Sequence, residues 1–319
     1  MRHVLFLFLD GVGLGDDDPA RNPFSTAEMP ALAALLGGGK LVAASAPYDG
    51  PRASLRAVDA CLGMPGAPQS ASGQATLLTG RNIPAEIGEH YGPKPNPAIA
   101  AILRQGSLFH EVLRRGGRAA LINAYPPRYF AAIESGRRLY SAIPMAAHAA
   151  GLPLMTAEDL RLGKAMAADF TGAGWAAQPE FPPAPVYSPE EAGELLAHQT
   201  ESYELTWFDF WPSDYAGHHG DMATAVGLLE SIDRVLAGLV RGLADRQDLI
   251  VLSSDHGNLE DLGQRGHTRN PVPVLLLGPA EVRQRFCDGL ADLASVAPAV
   301  LSAIFDEGPS STPGASHAA

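Results

Sequence analysis

Seven side chains spread along the chain have the types that hold metal ions and move phosphoryl groups: Asp10, Ser70, Asp214, His218, Asp255, His256 and His267. Asp214 and His218 form a D-x-x-x-H pair, which shares one face if the segment turns helically. Asp255-His256-Gly257-Asn258 follows an apolar run, so both adjacent ligands reach one ion only if the chain bends there, a bend that Gly257 permits. His267 opens the string His267-Thr268-Arg269-Asn270-Pro271-Val272-Pro273, ahead of another apolar run. Taken singly, these are a surface pair, a polar loop and a histidine beside a proline turn. Taken together, three imidazoles, three carboxylates and one hydroxyl are enough for two adjacent divalent cations. Nitrogen and oxygen donors without thiolate suit zinc or manganese, and the oxygen-rich share also admits magnesium. Two such ions can activate a nucleophile and stabilise both oxygens of a phosphoryl transfer.

Ser70 heads the stretch 70–81, which has a helical pattern stopping near Gly80. A serine at that place can cap the helix. It can also attack, because the free N–H groups and the helix dipole favour an alkoxide and an incoming phosphate.

Strands that end together would bring these residues to one edge. Residues 4–9 form a continuous apolar run that stops at Asp10-Gly11, the pattern of a strand buried on both faces. Similar runs end before Asn123, Asp214, Asp255 and Gly278, so all five are expected to deliver polar residues to the carboxyl edge of one sheet, where open α/β sheets bind ligands. Between them the clearest helix spans 222–243, capped by Asp221, with Val226, Leu229, Ile232, Leu236, Leu239 and Val240 at helical spacing. The fold class expected is α/β, a doubly wound and mostly parallel sheet. Residues 125–188 break into short pieces rich in proline and aromatics and are expected to form a small inserted cap. The core would then comprise 1–124 and 189–306, with 307–319 a disordered tail.

Composition narrows the function. The chain has 319 residues, 46% hydrophobic and 18% charged, which fits a globular domain with a sizeable core and excludes a disordered chain or a coiled coil. A net charge of −12 disfavours a nucleic-acid partner. The longest apolar runs fall far short of the roughly 20 residues of a membrane helix. With Asp10 interrupting the first run and no cleavage site after it, a cytoplasmic address is expected. Cys61 and Cys287 are the only cysteines, so neither a disulfide framework nor a thiolate metal site can be built.

Asp10-Gly11, the 70–81 segment, Asp214 to His218, the D-H-G-N string and the H-T-x-N-P-V-P string together resemble the ordered motifs of the alkaline phosphatase superfamily. The resemblance is greatest to the branch of cofactor-independent phosphoglycerate mutase and phosphopentomutase. It implies an alkaline phosphatase-like core in which Asp214, His218 and His267 hold one metal while Asp10, Ser70, Asp255 and His256 hold the other. It also implies that Ser70 is phosphorylated in turnover, with Ser72 beside it in a non-nucleophilic place. Ala71, Ser72, Gln74 and Gln69 depart from the mutase motif, and 125–188 has no counterpart of the mutase's inserted domain with its arginine cluster.

The function expected is therefore two-metal phosphoryl transfer on a small phosphorylated metabolite through phosphoserine, mutase-like. The alternatives are a metal-dependent phosphomonoesterase of the same superfamily and a non-catalytic metal- and phosphate-binding protein. Arg128, Arg269, His90 and Lys94 are the candidate substrate contacts, Arg128 first, because a guanidinium near the sheet edge can pair bidentately with an anion.

Overall fold

A computed structural model describes residues 1–244 and 246–305. The expected tail, 307–319, lies outside the described residues. Among the described residues nine strands form: β1 (Val4–Leu9), β2 (Tyr48–Asp49), β3 (Ala53–Val58), β4 (Ala119–Leu121), β5 (Ala124–Tyr125), β6 (Met155–Thr156), β7 (Leu205–Phe210), β8 (Leu249–Ser253) and β9 (Val272–Leu277). Seven of them make one sheet in the order β2-β3-β9-β8-β1-β7-β4, and β5 pairs with β6 in a small second sheet.

Every residue of β1, β8 and β9 is buried, because helices cover both faces of the sheet. On one face Val4, Phe6, Phe8 and Trp207 pack with Ala71, Ala75, Leu77 and Leu78 of the helix Ser70–Thr79. Phe6 and Trp207 stack there at 4.0 Å between ring centroids. On the other face Leu5, Leu7, Leu9 and Phe208 meet Leu229, Ile232 and Leu236 of the helix Met222–Gly242, with Asp221 accepting the Thr224 N–H at 2.8 Å as its cap.

β8, β1, β7 and β4 run parallel, as a doubly wound sheet requires. β9 does not: it pairs antiparallel with β8, and β3 antiparallel with β9. The expectation that 274–277 ends on the edge shared by the parallel strands is thus corrected. An antiparallel strand begins where its parallel neighbours end, so the segment preceding β9, with His267, reaches the edge instead.

Within 125–188, the helix Ala142–Ala149 buries Ala142, Ile143, Ala146 and Ala147 in the main core. A smaller cluster, Ala124, Leu160, Ala165, Ala167 and Trp175, forms under the second sheet. Among the described residues no helix is long and apolar enough to cross a membrane.

Candidate metal centre

The ends of the parallel strands set the candidate ligands. Asp10 follows β1 and donates its backbone N–H to the Phe210 carbonyl at 3.1 Å, which fixes it beside the end of β7. The short helix Pro212–His219 carries Asp214 in its first turn and His218 in its last, and the His218 Nε2 lies 3.5 Å from Asp214 Oδ1. The loop after β8 supplies Asp255 and His256, both fully buried. His267 comes in from the β9 side and donates its Nδ1–H to the Pro68 carbonyl at 2.7 Å, so in the neutral ring Nε2 keeps its lone pair.

The donor atoms face one another. His267 Nε2 is 3.2 Å from His218 Nε2 and 3.8 Å from Asp214 Oδ1, and His256 Nε2 is 3.4 Å from Asp10 Oδ1 and 3.6 Å from Asp255 Oδ2. Two metal-sized groups result among the described residues, Asp10 with Asp255 and His256, and Asp214 with His256 and His267. His256 reaches both, and its ring stacks on His267 at 3.6 Å.

Ser70 is the first helical residue and Gln69 the N-cap, and no side chain caps the helix. The Ser70 hydroxyl is therefore free of the structural task that a serine at a helix start often has, and its Oγ lies 3.0 Å from His256 Nε2. Ser72 is tied down instead: its Oγ donates to the Gln69 carbonyl at 3.1 Å and accepts the Tyr91 N–H at 3.0 Å.

Whether these residues suit metal ions is decided by their unmet partners. Asp10 Oδ1 and both carboxylate oxygens of Asp255 are buried with no hydrogen-bond donor. Burial, then the neighbouring carboxylates Asp255 and Asp214, holds Asp10 well above the ordinary carboxylate range. Burial and Asp214 push Asp255 up to about 8. Burial pushes His256 well below its usual value and lowers His267 as well. Carboxylates gathered without donors and imidazoles held neutral are a set that a cation satisfies, since it restores the carboxylate charge and needs the imidazole lone pairs. The set fits two divalent ions.

Three residues have supporting roles that sequence reasoning did not assign. Glu260 is 1% exposed, and its carboxylate accepts the backbone N–H groups of Gly13 and Asn258 at 2.8 Å each, the Asn270 amide at 3.0 Å, and the Thr268 hydroxyl. It joins the loops that carry Asp10, Asp255-His256 and His267. Its signal in the sequence is an acid between Leu259 and Leu262, two residues past the D-H-G-N string. Asn258 donates to Asp214 Oδ1 at 2.6 Å, and Gln74 to Asp10 Oδ2 at 3.3 Å. Gly257, expected to permit a bend, has no left-handed φ; a Cβ there would strike Glu260 and Thr268, so space sets the requirement.

Three of the four expected substrate contacts are engaged by other groups of the protein. Arg128 stands at the exposed start of the helix Pro127–Glu134, ion-paired with Glu180 and with its guanidinium 4.4 Å from the Phe181 ring centroid. Lys94 donates to the Leu139 carbonyl at 3.1 Å, and Arg269 to the Gly66 carbonyl. His90 lies near Gly66, its Nε2 buried and without a partner. Among the described residues no hydrogen bond or ion pair joins these four to the seven candidate ligands.

Residues 184–305 match the family model of the metalloenzyme superfamily, a stretch that holds Asp214, His218, Asp255, His256 and His267. The 2,3-bisphosphoglycerate-independent phosphoglycerate mutase of Desulforudis audaxviator is 30% identical over 129 residues, which are 39% of this chain and 25% of that protein. The protein of the same name from Halobacterium salinarum is 36% identical over 108 residues, covering 32% of this chain and 21% of that protein. The matched region thus spans about a quarter of those relatives' length. Among solved structures, the PH0037 protein of Pyrococcus horikoshii aligns over 97% of this chain and 98% of its own, with TM-score 0.56 and 14% identity. That likeness is one of fold and covers nearly the whole chain, the stretch with Asp10 and Ser70 included.

Proposed function

We propose, from the premise that this chain is a metalloenzyme of the alkaline phosphatase superfamily on the side of the phosphoglycerate mutases, that it transfers a phosphoryl group from a small phosphomonoester through Ser70. The observation that carries the reading is the uncommitted Ser70 hydroxyl, at a helix start and 3.0 Å from His256 Nε2, against a group of buried carboxylates without donors. Asp214, His218 and His267 would hold one divalent cation and Asp10, Asp255, His256 and Ser70 the other. When bound, the two ions supply a lowered nucleophile pKa and charge neutralisation of the phosphoryl oxygens.

The protein's own residues do the rest. Ser70 Oγ bonds to phosphorus as the bond from phosphorus to the substrate alcohol breaks; the serine proton is lost and the departing alkoxide gains one. The second half reverses these changes onto an acceptor oxygen. The Ser70 helix directs its N-terminal dipole at the phosphoryl group, Gln74 orients Asp10, Asn258 orients Asp214, and the Pro68 carbonyl fixes the His267 ring.

A mutase returns the phosphoryl group to another hydroxyl of the same molecule, and a phosphatase gives it to water. The short stretch 125–188, without a counterpart of the mutase's inserted domain, favours the second, because a mutase must keep the dephosphorylated intermediate bound and dry. The test is acid quenching of manganese-loaded protein with p-nitrophenyl phosphate or 3-phosphoglycerate, followed by peptide mass spectrometry and product analysis. Phosphate on Ser70 is expected. Turnover that survives Ser70→Ala, or phosphate on another residue, overturns the reading.

A further inference from the structure

The organic part of the substrate needs its own contacts, since a metal pair grips any phosphomonoester alike. The strand register identifies one acceptor in reach. Side chains alternate along β7, so Asp209 shares with Leu205 and Trp207 the sheet face covered by the Ser70 helix. Asp209 pairs in register with Phe8 of β1, and Asp10 follows two residues later on that same face. Asp209 is no metal ligand in either cluster, yet its Oδ1 is buried with no hydrogen-bond partner.

The other flank of Asp209 is aromatic. Asn123 locks to its backbone through two 2.8 Å hydrogen bonds, one donated by Asn123 Nδ2 and one accepted by Asn123 Oδ1. Tyr125 follows and packs on Tyr129 at 4.5 Å, and Tyr129 lies 6.3 Å from Tyr140. Tyr129 is 8% exposed, and among the described residues no hydrogen bond engages any of the three hydroxyls. Burial holds the Tyr125 and Tyr129 hydroxyls above their ordinary range, so they stay neutral and can both donate and accept. Beyond them the Arg138 guanidinium lies 5.0 Å from the Tyr129 ring centroid.

We infer that Asp209, with the hydroxyls of Tyr125 and Tyr129, forms a subsite for the uncharged hydroxyl groups of a polyol phosphate. The inference rests on the phosphomonoester reading above and adds the substrate class. Without a partner of its own, the Asp209 carboxyl calls for a donor when ionised and then repels a substrate carboxylate, and in either protonation state it can pair with an alcohol. Arg138 beside the same tyrosines disfavours an ammonium group, which leaves alcohols.

A matched pair tests this: sn-glycerol 3-phosphate and 3-phosphoglycerate share a three-carbon skeleton and differ in a CH2OH group against a carboxylate. Binding of each to manganese-loaded full-length Ser70→Ala is measured by calorimetry, so the result does not depend on turnover. Glycerol 3-phosphate is expected to bind roughly tenfold or more tightly than 3-phosphoglycerate, and Asp209→Asn, of the same shape, to bring the two within about threefold. Tyr129→Phe, which keeps the packing, is expected to weaken glycerol 3-phosphate severalfold and to leave 3-phosphoglycerate nearly unchanged. Equal or tighter binding of 3-phosphoglycerate, or a preference that persists in both variants, overturns the subsite. Tighter binding of phosphoethanolamine than of glycerol 3-phosphate overturns the assignment to uncharged groups. Absence of phosphorylated Ser70 in the quench experiment would instead overturn the phosphoryl-transfer reading, whatever these affinities show.

Discussion

Replacing Glu260 by alanine tests how three loops are held at one edge. The carboxylate accepts from the buried Gly13 N, Asn258 N and Thr268 Oγ1 and from the half-buried Asn270 Nδ2. Each donor left without an acceptor costs about 1–3 kcal/mol, and water entering the vacated space recovers part of it. Glu260→Ala should therefore lose about 3–5 kcal/mol of stability, a large share of the 5–15 kcal/mol typical of a domain. Glu260→Gln should lose only about 1–2 kcal/mol. Its oxygen can still take the two backbone N–H groups, and its amide can face Thr268 and Asn270, whose side chains can turn to accept. Urea unfolding of the metal-free protein measures the first quantity. Manganese calorimetry measures the second consequence: about 10–100-fold weaker binding in Glu260→Ala, because the ligand-bearing loops lose their common anchor. Unfolding within about 1 kcal/mol of the parent would refute the hydrogen-bond account. Unchanged manganese affinity in a destabilised but folded variant would refute the positioning role.

Ser70→Ala should reduce phosphoryl transfer at least about a thousandfold, whereas Ser72→Ala, which releases Tyr91, should act mainly on stability; the reverse ranking in steady-state assays would shift the nucleophile by two residues. Gly11 has φ +69°, and a Cβ on it would lie 2.6 Å from Asp214 Oδ1. Gly11→Ala should therefore displace Asp214 and lower metal content from two ions per chain toward one, and retention of both by elemental analysis would count against the assignment. Burial raises Asp209 from its ordinary 3.8 to about 7, so the folded state resists ionisation. Its effect on stability is absent below pH 3.8, grows as pH rises toward 7 and is constant above. Asp209→Asn should thus gain stability relative to the parent between pH 4 and 8, by at most about 4 kcal/mol, and a gain independent of pH in urea titrations of the metal-free chain would refute it.

The parallel strands could be read from the sequence because each is a short apolar run stopped by a polar residue, and burial on both faces leaves that pattern unbroken. The direction of β9 could not. Val272–Leu277 is as apolar as β1, and nothing in such a run distinguishes a strand that enters the edge from one that leaves it. The seven side chains that gather at the edge were legible through their motifs, whereas Glu260 and Asp209 were not, since each depends on partners brought together only by the sheet order. The partners of Arg128 were not legible for a local reason: Glu180 and Phe181, distant in sequence, take its charge and its flat face.

The reversal at β9 has a consequence for how this edge can change. Between Ser253 and Val272 one excursion of the chain carries Asp255, His256, Glu260 and His267, with the functional groups in its two legs and exposed residues 263–265 at its tip. The legs are laced together by the Thr268 N–H donating to the Gly257 carbonyl at 2.9 Å. Length added at the tip leaves this lacing untouched, so the excursion can lengthen and reach over the edge while the chemistry at its base stays in register.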